Sequence, residues 1–230
     1  MLYEHIFFDL DHTLWDFETN SKEAFLELFD KYKLLEKGIA SMDEFLVEYF
    51  LINERLWDGY RKGEIEKEQL RYDRFRQAFH KFGIVDDTLT VNFSDDYVNS
   101  APYKTNLFPH AVETLEYLKG KYTLHIVTNG FEEVQYLKMK SSNIDHYFSK
   151  IITSERSGYK KPDKRMFEFS LSEAKADPAV SIMIGDSLEA DILGARDAGL
   201  NQVYFNPKEI AHQEIVTHEI KSLKELFQIL

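Results

Sequence analysis

Hydrophobic and polar positions divide the 230-residue chain into two textures. From Asp16 to about Tyr103 apolar residues recur almost only at helical spacing, three or four apart. Ala24, Phe25, Leu28, Phe29 and Tyr32 predict one helix. Met42, Phe45, Leu46, Tyr49, Phe50, Leu56 and Trp57 predict a second, whose stripe the polar Asn53 interrupts once. Leu70, Phe75, Phe79 and Phe82 predict a third, ended by Gly83. Ser41 with Glu44 three residues later has the form of a capping box opening the second.

From Leu107 onward short β-rich runs alternate with amphipathic helices, the pattern of a parallel sheet built from βαβ units. The runs are Thr123 to Thr128, Lys150 to Thr153, Ser181 to Gly185 and Gln202 to Phe205. Helices are predicted near Pro109 to Leu118, Glu132 to Ser141, Lys164 to Ala174 and Glu189 to Ala198. Another such run, Tyr3 to Asp9, opens the chain, so the sheet begins there and resumes about a hundred residues later. The simplest architecture is a doubly wound, Rossmann-like α/β core of residues 1–15 and 104–230, with residues 16–103 inserted as an all-helical cap. Hinges are expected near Asp16 to Thr19 and Ala101 to Thr105. Leu223, Leu226, Phe227 and Leu230 predict a last helix used for packing. There is no internal repeat and no low-complexity tract.

Composition narrows the chemistry. No cysteine is present, which excludes disulfides, thiolate zinc sites and a thiol nucleophile, and 18 Phe with 13 Tyr can supply an apolar core instead. Forty Asp and Glu against 28 Lys and Arg give a net charge of −12, which disfavours nucleic acid and anionic membranes as partners but not a small anionic substrate. No apolar stretch approaches a membrane span, and Met1 to Asp9 lacks a basic segment followed by a long apolar run, so a cytoplasmic protein is expected.

In open parallel sheets ligands bind at the carboxyl ends of strands. The first run ends in Asp9-Leu10-Asp11-His12-Thr13, the second in Thr128-Asn129-Gly130, and the fourth in Gly185-Asp186-Ser187 with Asp191 a helical turn beyond. Lys161-Pro162 follows the third. Each alone has an ordinary reading as cap, turn or solvated loop residue. Their joint occurrence on successive strand ends does not follow from turn chemistry. Clustered carboxylates repel unless a cation holds them, and oxygen ligands suit Mg²⁺. A hydroxyl, a lysine and loop amides can then receive phosphoryl oxygens.

These four motifs, in this order over essentially the whole chain, resemble the haloacid dehalogenase superfamily of hydrolases. Leu56-Trp57-Asp58-Gly59-Tyr60-Arg61-Lys62-Gly63 and Thr128-Asn129-Gly130-Phe131 are similar to its YjjG-type 5′-nucleotidases, which act on pyrimidine nucleoside monophosphates. The resemblance implies Asp9 as nucleophile, through an aspartyl-phosphate, and Asp11 as general acid and base. It implies Mg²⁺ held by the Asp9 and Asp186 carboxylates and the Asp11 carbonyl, supported by Asp191. Thr128 and the Asn129 amide would bind phosphoryl oxygens, and Lys161 would offset charge; Lys161 is chosen over Lys160 because the superfamily's lysine directly precedes the proline. His12 is expected to point away from the site.

Substrate choice is expected in the cap and just after the first motif, where Trp15 and Phe17 lie; Trp57, Tyr60 and Arg61 are the candidate contacts, though aromatics at helical spacing also pack cores. Residues 16–103 hold 12 basic and 19 acidic residues, a net −7, so no basic funnel awaits a polyanion. Asp11, Asp186 and Asp191 favour phosphate chemistry over dehalogenation, which needs no metal. The expected activity is therefore a Mg²⁺-dependent phosphomonoesterase acting on nucleoside monophosphates. A sugar-phosphate phosphatase or phosphomutase shares the motifs, and a non-catalytic phospho-acceptor is the alternative of another class, which a large cap disfavours. No Gly-Lys-Ser/Thr loop for ATP is present.

Overall fold

The computed structural model describes residues 3–230; Met1 and Leu2, the start of the stretch read for a leader, lie outside them. The chain divides into two compact units, one comprising the chain up to Phe17 together with Thr105–Leu230, the other Glu18–Lys104.

The first unit is built on one six-stranded sheet, with β1 His5–Phe8, β2 Thr123–Thr128, β3 Phe148–Thr153, β4 Ser181–Gly185, β5 Asn201–Phe205 and β6 His218–Ile220. All neighbours are parallel, in the order β3-β2-β1-β4-β5-β6. This is a doubly wound α/β fold. The order reverses at β1 and β4, so their carboxyl ends frame the crevice where such sheets bind ligands. Both faces are buried. Ile6, Phe8, Ile126 and Ile184 pack on one side with Leu115 and Leu118. Phe7, Val127 and Met183 pack on the other with Met166 and Phe167. That explains the nearly continuous apolar runs of the central strands.

The second unit contains α1 Phe17–Lys31, whose first residue belongs to the core, then α2 Met42–Arg61, α3 Lys67–Lys81 and α4 Asp87–Ser100. Its centre is aromatic, with Phe25 against Tyr49, Phe75, Phe93 and Tyr97 at ring-centroid separations of 4.6–6.2 Å. Each such ring contributes about 1.5–3 kcal/mol by burial. Glu44 donates its backbone N–H to Ser41 Oγ at 3.2 Å, which caps α2 at the predicted place. Asn53, the break in the α2 stripe, accepts from the buried Arg74 at 3.4 Å, and Arg74 lies over the rings of Phe75 and Tyr97. The fourth helix escapes the apolar pattern because Thr90 and Ser94 share its buried face with Leu89, Phe93 and Tyr97.

The core helices are α5 Ala111–Lys119, α6 Glu132–Ser141, α7 Ser154–Ser157, α8 Lys164–Ala174, α9 Gly194–Asp197 and α10 Leu226–Ile229. Two expectations change. The helix read near Glu189 to Ala198 is a π-helical stretch, Leu188–Leu193, running into α9. The terminal helix is a 3₁₀ turn, Leu223–Glu225, followed by the single turn of α10, still packed through Leu223 and Leu226. Among the described residues no helix is long and apolar enough to cross a membrane.

His125 on β2 supplies a pH probe of this core. Its ring is buried, stacks on Phe7 at 4.7 Å and places Nε2 3.1 Å from His5 Nδ1. Burial, then the neighbouring His5 and Lys150, push its pKa down to about 4. The fold thus favours neutral His125, while the unfolded chain protonates it near 6.5. Stability should be full above pH 6.5 and fall by about 2–3 kcal/mol as pH drops toward 4, then level off for this group. Denaturant unfolding of the parent and of His125→Leu across that window measures it; equal slopes in both would contradict the assignment.

Candidate active site

The carboxyl ends of β1, β2 and β4 gather the charged residues that the sequence pointed to. Asp9 follows β1 and donates its backbone N–H to Ile184 O at 2.9 Å, which fixes it beside the end of β4. Asp186 follows β4, and Asp191 lies in the π-helical stretch beyond. Each of the three carboxylates offers an oxygen within 4.8 Å of the others. A Cβ at Gly185 would sit 2.3 Å from Asp191 Oδ2, so glycine there lets that carboxylate reach the strand end.

Lys161 binds the group together. Only 2% exposed, its ammonium donates to Asp9 Oδ1 at 2.5 Å, Asp191 Oδ1 at 2.6 Å and Val127 O at 2.8 Å. Three acceptors satisfy the three donors of a buried ammonium. The Asn129 side chain holds the lysine's own backbone, accepting from Lys161 N–H at 2.8 Å and donating to Lys161 O at 2.9 Å. The sequence offered the Asn129 amide to the phosphoryl group, and the side chain of the same residue fastens the lysine loop. Of the two adjacent lysines, Lys161 is thus the one whose ammonium reaches Asp9 and Asp191. Thr128 Oγ accepts from Gly130 N–H at 3.1 Å, and Thr13 Oγ donates to Asp186 Oδ1 at 3.1 Å.

Electrostatics follow from burial. Removal from water pushes the Asp9 carboxyl up well above its ordinary range, partly opposed by Lys161 and reinforced by Asp191 and Asp186. Burial and then Asp191 push Asp186 up to about 7. Three carboxylates against one ammonium carry an excess of two negative charges when ionised, a set of hard oxygen donors that fits a divalent cation such as Mg²⁺. Asp191 has both oxygens engaged, Oδ1 by Lys161 and Oδ2 by Ser187 N–H at 3.0 Å.

Asp11 stands outside that trio. The strand ends at Phe8, and His12 turns at φ 62°. Its carboxylate is gripped by α6, with Lys138 donating to Oδ1 at 2.6 Å and Gln135 to Oδ2 at 2.9 Å. Neither residue was singled out from the sequence. The signal was there, as two polar residues three apart on the buried face of a helix that follows a motif-bearing strand. His12 sets its ring 4.8 Å from that of Phe17.

Comparison with known proteins decides the family: residues 3–199 match the haloacid dehalogenase-like hydrolases. The chain belongs to the haloacid dehalogenase-like hydrolases. This hydrolase is 29% identical to the pyrimidine 5′-nucleotidase YjjG of Escherichia coli K12, over 100% of this chain and 99% of that protein. It is 30% identical to a glyceraldehyde 3-phosphate phosphatase of Methanothermobacter thermautotrophicus, covering 96% and 98% respectively. The solved structure of YfnB from Bacillus subtilis bound to magnesium superposes with a TM-score of 0.90 at 28% identity, covering 100% of this chain and 99% of that one.

In the helical unit of the hydrolase, Trp57, Tyr60 and Arg61 occupy the last turns of α2. Tyr60 is buried, with its ring edge-on to Trp57 at 5.6 Å, and Arg61 lies 3.7 Å from Asp58.

Proposed function

We propose that this enzyme is a Mg²⁺-dependent phosphatase that hydrolyses small phosphomonoesters, nucleoside monophosphates foremost, through an aspartyl-phosphate. The observation that carries the reading is the buried Lys161 bridging Asp9 and Asp191, with Asp186 in reach. Asp9 attacks phosphorus in line, the bond to the leaving oxygen breaks, and Asp11 delivers the proton that oxygen needs. Asp11 then takes a proton from water, which attacks phosphorus, frees inorganic phosphate and restores Asp9. Lys161 neutralises the anionic site, while Thr128 and the Asn129 main-chain N–H receive phosphoryl oxygens. The carboxylates of Asp9 and Asp186 and the Asp11 carbonyl, with Asp191 in support, would hold Mg²⁺, which would supply charge neutralisation at the phosphoryl group. In this reading residues 16–103 form the cap, and Trp57, Tyr60 and Arg61 contact the substrate's leaving group.

The 29% identity to YjjG favours a pyrimidine nucleotide. The 30% identity to a glyceraldehyde 3-phosphate phosphatase favours a small sugar phosphate as the second reading. Ranking nucleoside monophosphates and sugar phosphates by kcat/KM for phosphate release distinguishes them. Interconversion of hexose phosphates without net release would instead identify a mutase. Chelation with EDTA should remove at least about 99% of turnover and added Mg²⁺ should restore it, given the several kcal/mol such a cation supplies. Undiminished turnover in EDTA would overturn the metal dependence.

A further inference from the structure

We propose that Lys138 and Gln135 are positioning residues for the proton-transfer step: they hold the Asp11 carboxylate at the angle from which it exchanges its proton. The inference rests on the reading of Asp11 as general acid and base. Neither side chain belongs to the phosphate and metal constellation of Asp9, Lys161, Asp186 and Asp191.

Three observations on α6 carry it. First, both oxygens of Asp11 are engaged from one helix, Oδ1 by the Lys138 ammonium at 2.6 Å and Oδ2 by the Gln135 amide at 2.9 Å. Two contacts on different oxygens fix the rotation of the carboxylate plane, which a single ion pair would leave free. A carboxylate has about four lone-pair positions, so two remain for a substrate oxygen or a water. Second, Lys138 is itself immobilised. Its side chain is only 6% exposed, and its ammonium stands 4.2 Å from the Trp15 ring centre and 5.6 Å from that of Phe17. A lysine free to follow solvent gains little from one ion pair; one sunk against two aromatic faces is a fixed strut.

Third, the arrangement is kept at a local cost. Gln135 Oε1 is buried without a hydrogen-bond partner among the described residues, so the amide serves Asp11 rather than its own satisfaction. A Cβ at Gly130 would lie 1.9 Å from Gln135 Nε2 and 2.5 Å from its Cδ. Glycine after Thr128-Asn129 therefore opens the path by which the glutamine reaches Asp11. This gives Gly130 a reason for its place in the motif beyond the turn itself.

Lys138→Met should lower kcat for phosphate release from uridine monophosphate roughly 10- to 100-fold with KM little changed, because a displaced acid or base costs rate rather than ground-state binding. Lys138→Arg should recover part of the loss, and Gln135→Leu should show a smaller loss of the same kind. In an Asp11→Asn background, adding Lys138→Met should cost nothing further, which a merely structural lysine would not show. Thermal midpoints measured alongside keep folding defects apart, and Gln135→Leu serves where Lys138→Met does not fold. Parent-like kcat in Lys138→Met and Gln135→Leu, or losses that multiply with Asp11→Asn, would overturn the inference. Parent-like turnover in Asp11→Asn alone would strike the underlying reading of Asp11.

Discussion

Replacing Asp9 with Asn should abolish turnover, by at least roughly 10⁴-fold, while leaving the protein as stable as its parent or more so. The two halves have separate causes. Asn is nearly isosteric and can still accept from Lys161, but its amide oxygen is a poor nucleophile and cannot form the aspartyl-phosphate on which the proposed route depends. Stability holds because burial, together with Asp191 and Asp186, acts against the charge on Asp9 more than Lys161 relieves it. A neutral side chain there lowers the excess of negative charge in the cluster from two to one. Steady-state phosphate release gives the first half, and thermal unfolding without divalent cation the second. Turnover comparable to the parent's would remove Asp9 from its role. A lost fold would place Asp9 in structure rather than chemistry.

The four strand-end motifs were legible because each depends on local chemistry: a carboxylate, hydroxyl or lysine at a predictable place on a short run. The strands under them were legible for a related reason. Ile6 to Phe8, Leu124 to Val127 and Ile182 to Ile184 are buried on both faces and leave apolar runs that only His125 interrupts. What stayed hidden depends on partners distant in sequence. Gln135 and Lys138 reach Asp11 across more than 120 residues, and no spacing rule links them. The side-chain task of Asn129 was not foreseen, because its partner is the backbone of Lys161, 32 residues on. The helix α4 was hidden because threonine and serine on its buried face weaken the apolar stripe, Ser94 donating to Arg71 O at 2.9 Å. The three-residue β6 is too short for its own signal and is specified by pairing with β5.

Lys161→Met should have the larger effect on the fold. The lysine is the one cation in contact with Asp9 and Asp191 among the described residues, and those two carboxylates together push its pKa up against the opposing pull of burial. Without it, the buried Asp9 and Asp191 carboxylates lose their shared countercharge beside the half-buried Asp186, and Val127 O loses a donor at 2.8 Å. Breaking a buried pair by removing one partner costs about 3–5 kcal/mol, because the remaining charge stays buried. The loss should appear in full in EDTA. Added Mg²⁺ should return part of it and raise the unfolding midpoint of the variant more than that of the parent, since the cation then faces three unshared carboxylates instead of a partly neutralised set. Activity should not return with stability, because the positive charge opposite the phosphoryl group is gone. Asp191→Asn added to Lys161→Met should recover stability without metal by removing one of the stranded charges. Denaturant unfolding of parent, single and double variants, each with and without Mg²⁺, measures these differences. A Lys161→Met protein as stable as its parent in EDTA would show that the carboxylates are not held by the lysine, and the charge balance assigned to the site would fail with it.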